Sequence, residues 1–378
     1  MTTLLLRGRL LTPRRDVPDG WVLVEGDRVT AIGRGPRAPD VEVIGDAEHV
    51  VTPGLVDLQV NGFGGHDAAE GVEAMVAIAE NLPRTGVTAF CPTVISAPLQ
   101  RMVAAAAGAR QAARAGGSRA RVLGAHLEGP FLNPARPGAH DPALLLEPAL
   151  PYAIEVAHAR PRLVTLAPEL PEAEAAIGEL AAAGVTVAAG HSAATHAQAQ
   201  AAFAAGLGFV THLFNAMAPW HHREPGLAGA ALNDPGVTVG LIADGEHVHP
   251  GALELAIRRK GATRVALTAD MISAAGAPPG RYRLGDREVR SDGARATLRD
   301  GTLAGGVATL DHVVRTAAAL PGVGLQQAVR MATATPAAAI GSVRLGSIAR
   351  GQPADVVLFD GDLRVRLTLI GGEVAHRA

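Results

Sequence analysis

Between residues 51 and 335 the chain repeats one theme: a short apolar run, a loop carrying polar residues, then an Ala-rich segment at helical spacing closed by Gly. Apolar runs alternating with helical segments predict βα units and a parallel sheet. Eight runs qualify as strands: 54–60 (GLVDLQV), 86–91 (GVTAFC), 121–126 (RVLGAH), 162–167 (RLVTLA), 184–189 (GVTVAA), 208–212 (GFVTH), 237–243 (VTVGLIA) and 264–269 (RVALTA). Eight parallel strands are enough to close a barrel, so the predicted fold is α/β of the (β/α)8 type. Helices are predicted at 72–82, 99–115, 171–183, 195–205, 250–260 and 309–320, with Gly184, Gly206 and Gly261 where a left-handed residue ends a helix.

The flanks alternate with a period of two. Residues 1–50 read as short strands with turns at Pro18-Asp19-Gly20 and Glu25-Gly26-Asp27, and 343–378 reads similarly through ADVVLFD and RVRLTLIGGEVA. An isolated hairpin is marginal in water. The expectation is therefore one small β-sandwich built from 1–50 plus 343–378, beside a barrel of 51–342.

Composition narrows the function. Net charge is −2 over 378 residues and the basic residues are scattered, which disfavours nucleic acid and anionic membranes as partners. No window approaches about 18 uninterrupted apolar residues, and the first residues lack the continuous apolar segment of a signal peptide, so a cytoplasmic location is expected. Cys91 is the sole cysteine and reads as a small buried residue. Lys260 is the only lysine, so 33 of the 34 basic residues are arginine. A Walker phosphate loop or a Schiff-base enzyme needs a lysine in its site, whereas Lys260 reads as a solvated residue at a helix end.

Barrel active sites lie at the C-terminal ends of the strands. There the sequence places Asp57, Gln59, Asn61, Cys91, Thr93, His126, Glu128, Glu169, His191, His212, Asn215, Asp244, His247 and Asp270. Any one of these could be a hydrogen-bonded core residue or a solvated loop residue, but so many imidazoles and carboxylates on one rim point to a metal or acid-base site. Glu128, His191 and His212 suit a divalent metal: two imidazoles and a carboxylate leave an open position on zinc for water. Asp270 suits a general base, a helix N-cap being the alternative. His126 could support a ligand or point away. Arg223 offers a planar donor fork for a phosphate or carboxylate, while His140 and His247 lie on loops. Gly305-Gly306 fits either a close ligand approach or a tight turn.

The strings TPGLVDLQVNGFGG, HLEGPFLN, AGHSAAT, THLFNAM, REPGLAGA, IADGEHV, LTAD and LAGG follow one another over residues 52–306. Together they resemble the N-acetylglucosamine-6-phosphate deacetylases of the amidohydrolase superfamily. The resemblance implies a metal-dependent barrel with a terminal β-sandwich, usually a homodimer, releasing acetate from the sugar amide. By motif it implies Glu128, His191 and His212 as ligands of one divalent metal (zinc first, with Fe2+, Co2+ or Mn2+ as alternatives) and Asp270 as the acid-base residue. His140 would polarise the acetyl carbonyl. Ala139, His140, Asn215, Ala216, Arg223, His247, Leu303, Ala304 and Gly305 would contact the sugar phosphate, with Arg223 and His247 able to serve the neighbouring subunit. Gln59 and Asn61 occupy the positions where many superfamily members carry the His-x-His of a second metal. Thr268-Ala269-Asp270 also departs from the pattern, which places Ser or Thr directly before the Asp. Alternatives are a deacetylase of another N-acyl amino sugar phosphate, such as the galactosamine isomer, and a catalytically silent sugar-phosphate-binding barrel.

Overall fold

The structure, a computed structural model, describes residues 3–35, 41–117 and 119–378. The eight parallel strands form in the expected places: Leu55–Val60, Val87–Ile95, a third in two pieces (Arg121–Val122 and His126–Glu128), Leu163–Leu166, Thr186–Ala189, Phe209–Val210, Thr238–Leu241 and Val265–Leu267. All but two residues of these strands are buried, as expected of a sheet covered on one face by helices and filled on the other by its own side chains. Each strand pairs with the next, and the circle is completed where Val60 bridges Met271 and the amides of Asn61 and Gly62 both donate to the Met271 carbonyl.

The second strand runs beyond its expected end at Cys91. Pro92 lacks a donor, which argues against a central strand. Here the pairing shifts register opposite Pro92, and the amide of Val60 finds the Thr93 hydroxyl at 3.1 Å instead.

Among the described residues ten α-helices form, and the last two, Leu325–Met331 and Ala334–Ala339, lie outside the expected set. Six lie where expected, at Val72–Asn81, Leu99–Ala112, Ala173–Ala182, His196–Ala204, Pro250–Lys260 and Leu310–Ala318. Gly184, Gly206 and Gly261 all have positive φ just beyond a helix end. Thr195 and Gln198 form a reciprocal capping box that fixes the start of the fifth helix, four residues after His191. The third and sixth, Leu150–Ala159 and Gly226–Asn233, were not legible; the latter is buried except at Asn233 and so shows no amphipathic period.

Both chain ends enter one continuous sheet. Val356–Phe359 pairs antiparallel with Val50–Pro53, which itself runs parallel to Thr3–Leu11. Leu4, Leu6, Leu10, Val22 and Val24 from the N-terminal part share a core with Val356, Leu358, Leu367 and Leu369 from the C-terminal part. The expected turn at Pro18-Asp19-Gly20 is instead an irregularity within the strand Asp16–Glu25: Gly8 faces Gly20 while Leu10 faces Val17, and Asp19 absorbs the extra residue at φ 49°. The turn at Gly26-Asp27 forms as expected. Residues 1, 2 and 36–40 of this flank lie outside the described residues.

An antiparallel insertion follows the last barrel strand: Gly280–Leu284, Arg287–Ser291 and Ala296–Thr297. It packs Leu284, Val289 and Ala296 against Ile95 and Ile272 at the rim, covering one side of the site.

Candidate metal and catalytic site

Three strand ends converge on Glu128. Its Oε1 lies 3.2 Å from His191 Nε2 and 2.8 Å from His212 Nε2, and the two imidazole nitrogens are 3.2 Å apart. All three side chains are buried. His191 and His212 leave their strands at φ 50° and 31°, and Asp270 at φ 50°. Non-glycine residues in this region cost roughly 1–3 kcal/mol each and concentrate where function demands a particular side-chain direction.

The hydrogen bonds define which atoms are free. His191 Nδ1 donates to the Arg136 carbonyl at 3.0 Å, so the neutral ring turns the lone pair of Nε2 toward Glu128. Burial, then the neighbouring His140, pushes His191 down to about 4 and keeps it neutral. For His212, burial opposes protonation, but the hydrogen bond and charge of Glu128 outweigh it, and its proton affinity rises. Burial disfavours the charge on Glu128, yet the surrounding His140, His191 and His212 hold it well below the ordinary carboxylate range.

The donor set fits one divalent cation. Tetrahedral zinc with ligands about 2.0–2.1 Å away spaces those ligands about 3.3 Å apart, close to the separations here. His212 Nδ1 is buried without a partner among the described residues, so nothing fixes its proton away from Nδ1, and Nε2 can be the coordinating nitrogen. Glu128, His140 and His191 also form a compact donor group. Geometry separates the two sets. The Ser96 amide donates to His140 Nδ1 at 3.1 Å, which leaves the neutral ring's proton on Nε2, 3.8 Å from Glu128 Oε2. His140 thus presents a hydrogen-bond donor, and Glu128, His191 and His212 are the better ligand set.

The amides at the second-metal positions hold the two carboxylates. Gln59 Nε2 donates to Glu128 Oε1 at 3.1 Å, and Asn61 Nδ2 to Asp270 Oδ1 at 2.8 Å. Burial, then the charge of Glu128, pushes Asp270 up to about 7, a value suited to exchanging protons near neutrality. No helix starts at Asp270, so the N-cap alternative falls away. Across from it, His247 Nδ1 donates to Asp244 Oδ2 at 2.7 Å, and His247 Nε2 lies 4.0 Å from Asp270 Oδ2.

These groups line one pocket of about 230 Å³, below the roughly 300–1,000 Å³ of drug-sized sites and scaled to a monosaccharide. Asn61, Glu128, Ala139, His140, His191, His212, Asn215, Ala216, His247, Asp270, Leu303, Ala304 and Gly305 are all on its wall, with Ile95, Gly138, Leu284 and Thr302, which the sequence did not single out. A Cβ on Gly306 would lie 2.1 Å from the Ala269 carbonyl, so close packing against the Asp270 loop explains that glycine. Arg223 is exposed outside the pocket, its Nε 3.2 Å from His222 Nε2.

His126 points away. Its Nε2 meets Thr165 Oγ1 at 2.8 Å and its Nδ1 the Leu58 carbonyl at 3.1 Å, and burial pushes it down to about 4. Glu169 is a brace: it accepts from Asn133 Nδ2 at 2.8 Å and Ser192 Oγ at 2.7 Å, beside His191. Cys91 is fully buried, its thiol pushed up to about 12 by burial. Lys260, expected in solvent, is half-buried, and its Nζ donates to the Ala231 carbonyl of the neighbouring helix at 2.9 Å.

Residues 50–375 match the amidohydrolase family model. The chain belongs to the amidohydrolase family. Among its relatives, this amidohydrolase is 39% identical to N-acetylglucosamine-6-phosphate deacetylase of Danio rerio, over 87% of this chain and 85% of that protein. It is 37% identical to N-acetylgalactosamine-6-phosphate deacetylase of Escherichia coli O157:H7, over 99% and 100%. In structure it resembles an aspartate-to-alanine variant of N-acetyl-D-glucosamine-6-phosphate deacetylase from Mycobacterium smegmatis in complex with N-acetyl-D-glucosamine-6-phosphate, with a TM-score of 0.94, 35% identity and coverage of 99% and 100%.

Proposed function

We propose that this amidohydrolase removes the N-acetyl group of N-acetylglucosamine 6-phosphate, giving glucosamine 6-phosphate and acetate. The observation that carries this reading is the juxtaposition, in one sugar-sized pocket, of the Glu128–His191–His212 donor set, a buried carboxyl at Asp270 and a donor at His140 Nε2. The relatives supply the substrate class.

Glu128, His191 and His212 would hold one divalent metal, zinc suiting two imidazoles and a carboxylate best, with Fe2+, Co2+ and Mn2+ compatible with the same donors. When bound, such a metal supplies acidification of water and polarisation of a carbonyl. The chain's own residues do the rest. Ionised Asp270 accepts a proton from the attacking water as the new carbon–oxygen bond forms. His140 Nε2–H donates to the acetyl oxygen as negative charge develops there. Asp270 then returns its proton to the sugar nitrogen, the carbon–nitrogen bond breaks, and acetate and the amine leave.

Ala139, Asn215, Ala216, His247, Leu303, Ala304 and Gly305 would orient the sugar phosphate. Arg223, outside its own pocket, would serve the site of a second copy in a homodimer, and the cytoplasm is the expected location. The galactosamine epimer is the second reading, favoured by the Escherichia coli relative that matches end to end.

The test is acetate release from both N-acetylated hexosamine 6-phosphates and from unphosphorylated N-acetylglucosamine. Release from the glucosamine 6-phosphate with kcat/KM at least 10-fold above the others is expected. Preference for the galactosamine epimer would move the assignment to the second reading, and equal rates on the unphosphorylated sugar would contradict phosphate recognition.

A further inference from the structure

One buried ionisable group near the site takes no part in the chemistry above. Asp57, in the first barrel strand, is completely buried, two residues before Gln59. Its environment is unusual because the first and eighth strands form no ladder with each other among the described residues. Their backbones bridge at the end of the seam, where Val60 pairs with Met271 just beyond the eighth strand. Lower on the first strand, the Val56 amide donates to Ala332 rather than to the eighth strand.

Asp57 fills that gap. Its Oδ1 accepts from Thr268 Oγ1 at 2.5 Å and from the Gln59 amide at 3.1 Å, while its Oδ2 accepts from the Ala269 amide at 3.3 Å. A carboxylate is suited to this role because both oxygens accept and neither carries a proton. An unsatisfied amide here would be costly, since Ala269 is itself buried. The residue after Ala269 is Asp270, and the residue held through its amide on the other side is Gln59, which donates to Glu128. The same carboxylate thus fixes the backbone that carries the candidate base and the backbone that carries a brace of the metal site.

We propose that Asp57 is a positioning residue, a latch across the barrel seam that holds Asp270 at reacting distance through Thr268 and Ala269. Thr268 takes part in this arrangement from two positions before Asp270, which gives the Thr-Ala-Asp spacing a physical purpose. The proposal rests on the reading of Asp270 as the proton-transferring residue. A latch of this kind acts on the placement of the carboxylate and leaves the pocket wall intact, so its loss is read in turnover rather than in substrate affinity. A misplacement of about 1 Å can cost about 100-fold in rate.

The experiment compares Asp57→Asn, Thr268→Val and Thr268→Ser with the parent chain. The asparagine retains one acceptor oxygen but turns an amide nitrogen toward a donor; the valine keeps shape and removes the hydroxyl; the serine restores it. In D57N, kcat should fall at least 10-fold with KM within about threefold and bound metal unchanged. T268V should lose about three- to tenfold in kcat, and T268S should recover to within about twofold of the parent. Amide hydrogen exchange at Ala269 should quicken at least 10-fold in D57N and T268V, a readout independent of any substrate. Parent-like kcat in both D57N and T268V, or unaltered exchange at Ala269, would overturn the latch. Equal losses in kcat and bound metal would overturn it too, because they would mark a general structural role. A parent chain that turns over none of the sugar phosphates would contradict the deacetylase reading instead, and the exchange measurement would still decide the latch.

Discussion

At the scale of single residues, the site separates groups that must exchange protons from groups that must not. Asp270→Asn keeps the side-chain volume and removes the carboxylate that can take up a proton. Turnover should fall by about 100- to 10,000-fold, the range for losing a general acid-base residue, with metal content unchanged; turnover within 10-fold of the parent would exclude Asp270 from the chemistry. The Asn61 amide stabilises the charged form of Asp270, whereas burial and Glu128 oppose it. Removing that donor in Asn61→Leu raises the carboxyl pKa, and since Asp270 accepts a proton only when ionised, the acid limb of the kcat/KM profile should move to higher pH. A cation held by Glu128, His191 and His212 would favour the ionised carboxyl of Asp270, which burial and Glu128 otherwise push up to about 7, so the limb of the metal-loaded parent should lie below pH 7. A limb that stays in place in N61L would show that Asp270 does not set it. That Glu128, His191, His212 and Asp270 share one rim was legible because a strand end announces which residues reach it. Their partners were not: the contacts of Ser96 with His140 and of Asp57 with Thr268 depend on how distant strands are staggered, which local pattern does not encode.

At the scale of elements, the loops after the barrel strands set the precision of the site. Glu169, at the end of the fourth strand, ties the Asn133 side chain to Ser192, the neighbour of His191. Glu169→Ala should weaken metal affinity by about 10- to 100-fold, as loss of a supporting contact around a ligand commonly does, and activity should return at saturating metal. Competition with a chromophoric chelator reads this directly, and unchanged affinity would make Glu169 a structural residue only. The insertion 280–297 does not stand out in the sequence although RYRLGDREVRS alternates around a Gly-Asp turn, because this hairpin is polar on one face and lacks the apolar run of a barrel strand. Its Leu284 reaches the pocket wall, so part of the site lies on this hairpin.

At the scale of the whole molecule, the eight-strand count and the joining of the two ends were legible because burial on both faces leaves continuous apolar runs, while the terminal strands alternate. The irregularity at Asp19 and the passage of the second strand through Pro92 were not, since in each case a partner strand supplies what the local sequence lacks. The terminal sheet is fastened to the barrel by Asp355, which pairs with Arg121 of the third strand and accepts from the Gly371 amide at 2.8 Å. Asp355→Ala should lower the unfolding free energy in urea by roughly 1–3 kcal/mol, because it removes charge-assisted hydrogen bonds from the half-buried Gly371 amide and Arg121; no change would place the fastening elsewhere. We propose that the activity of this hydrolase resides in one metal centre at Glu128, His191 and His212. It is tested most directly by stripping the chain of metal and adding zinc back while following acetate release from N-acetylglucosamine 6-phosphate. Activity should be absent from the stripped chain, rise in proportion to bound zinc and saturate at one zinc per chain; full activity without metal, or one bound zinc with no acetate from either epimer, would contradict that assignment.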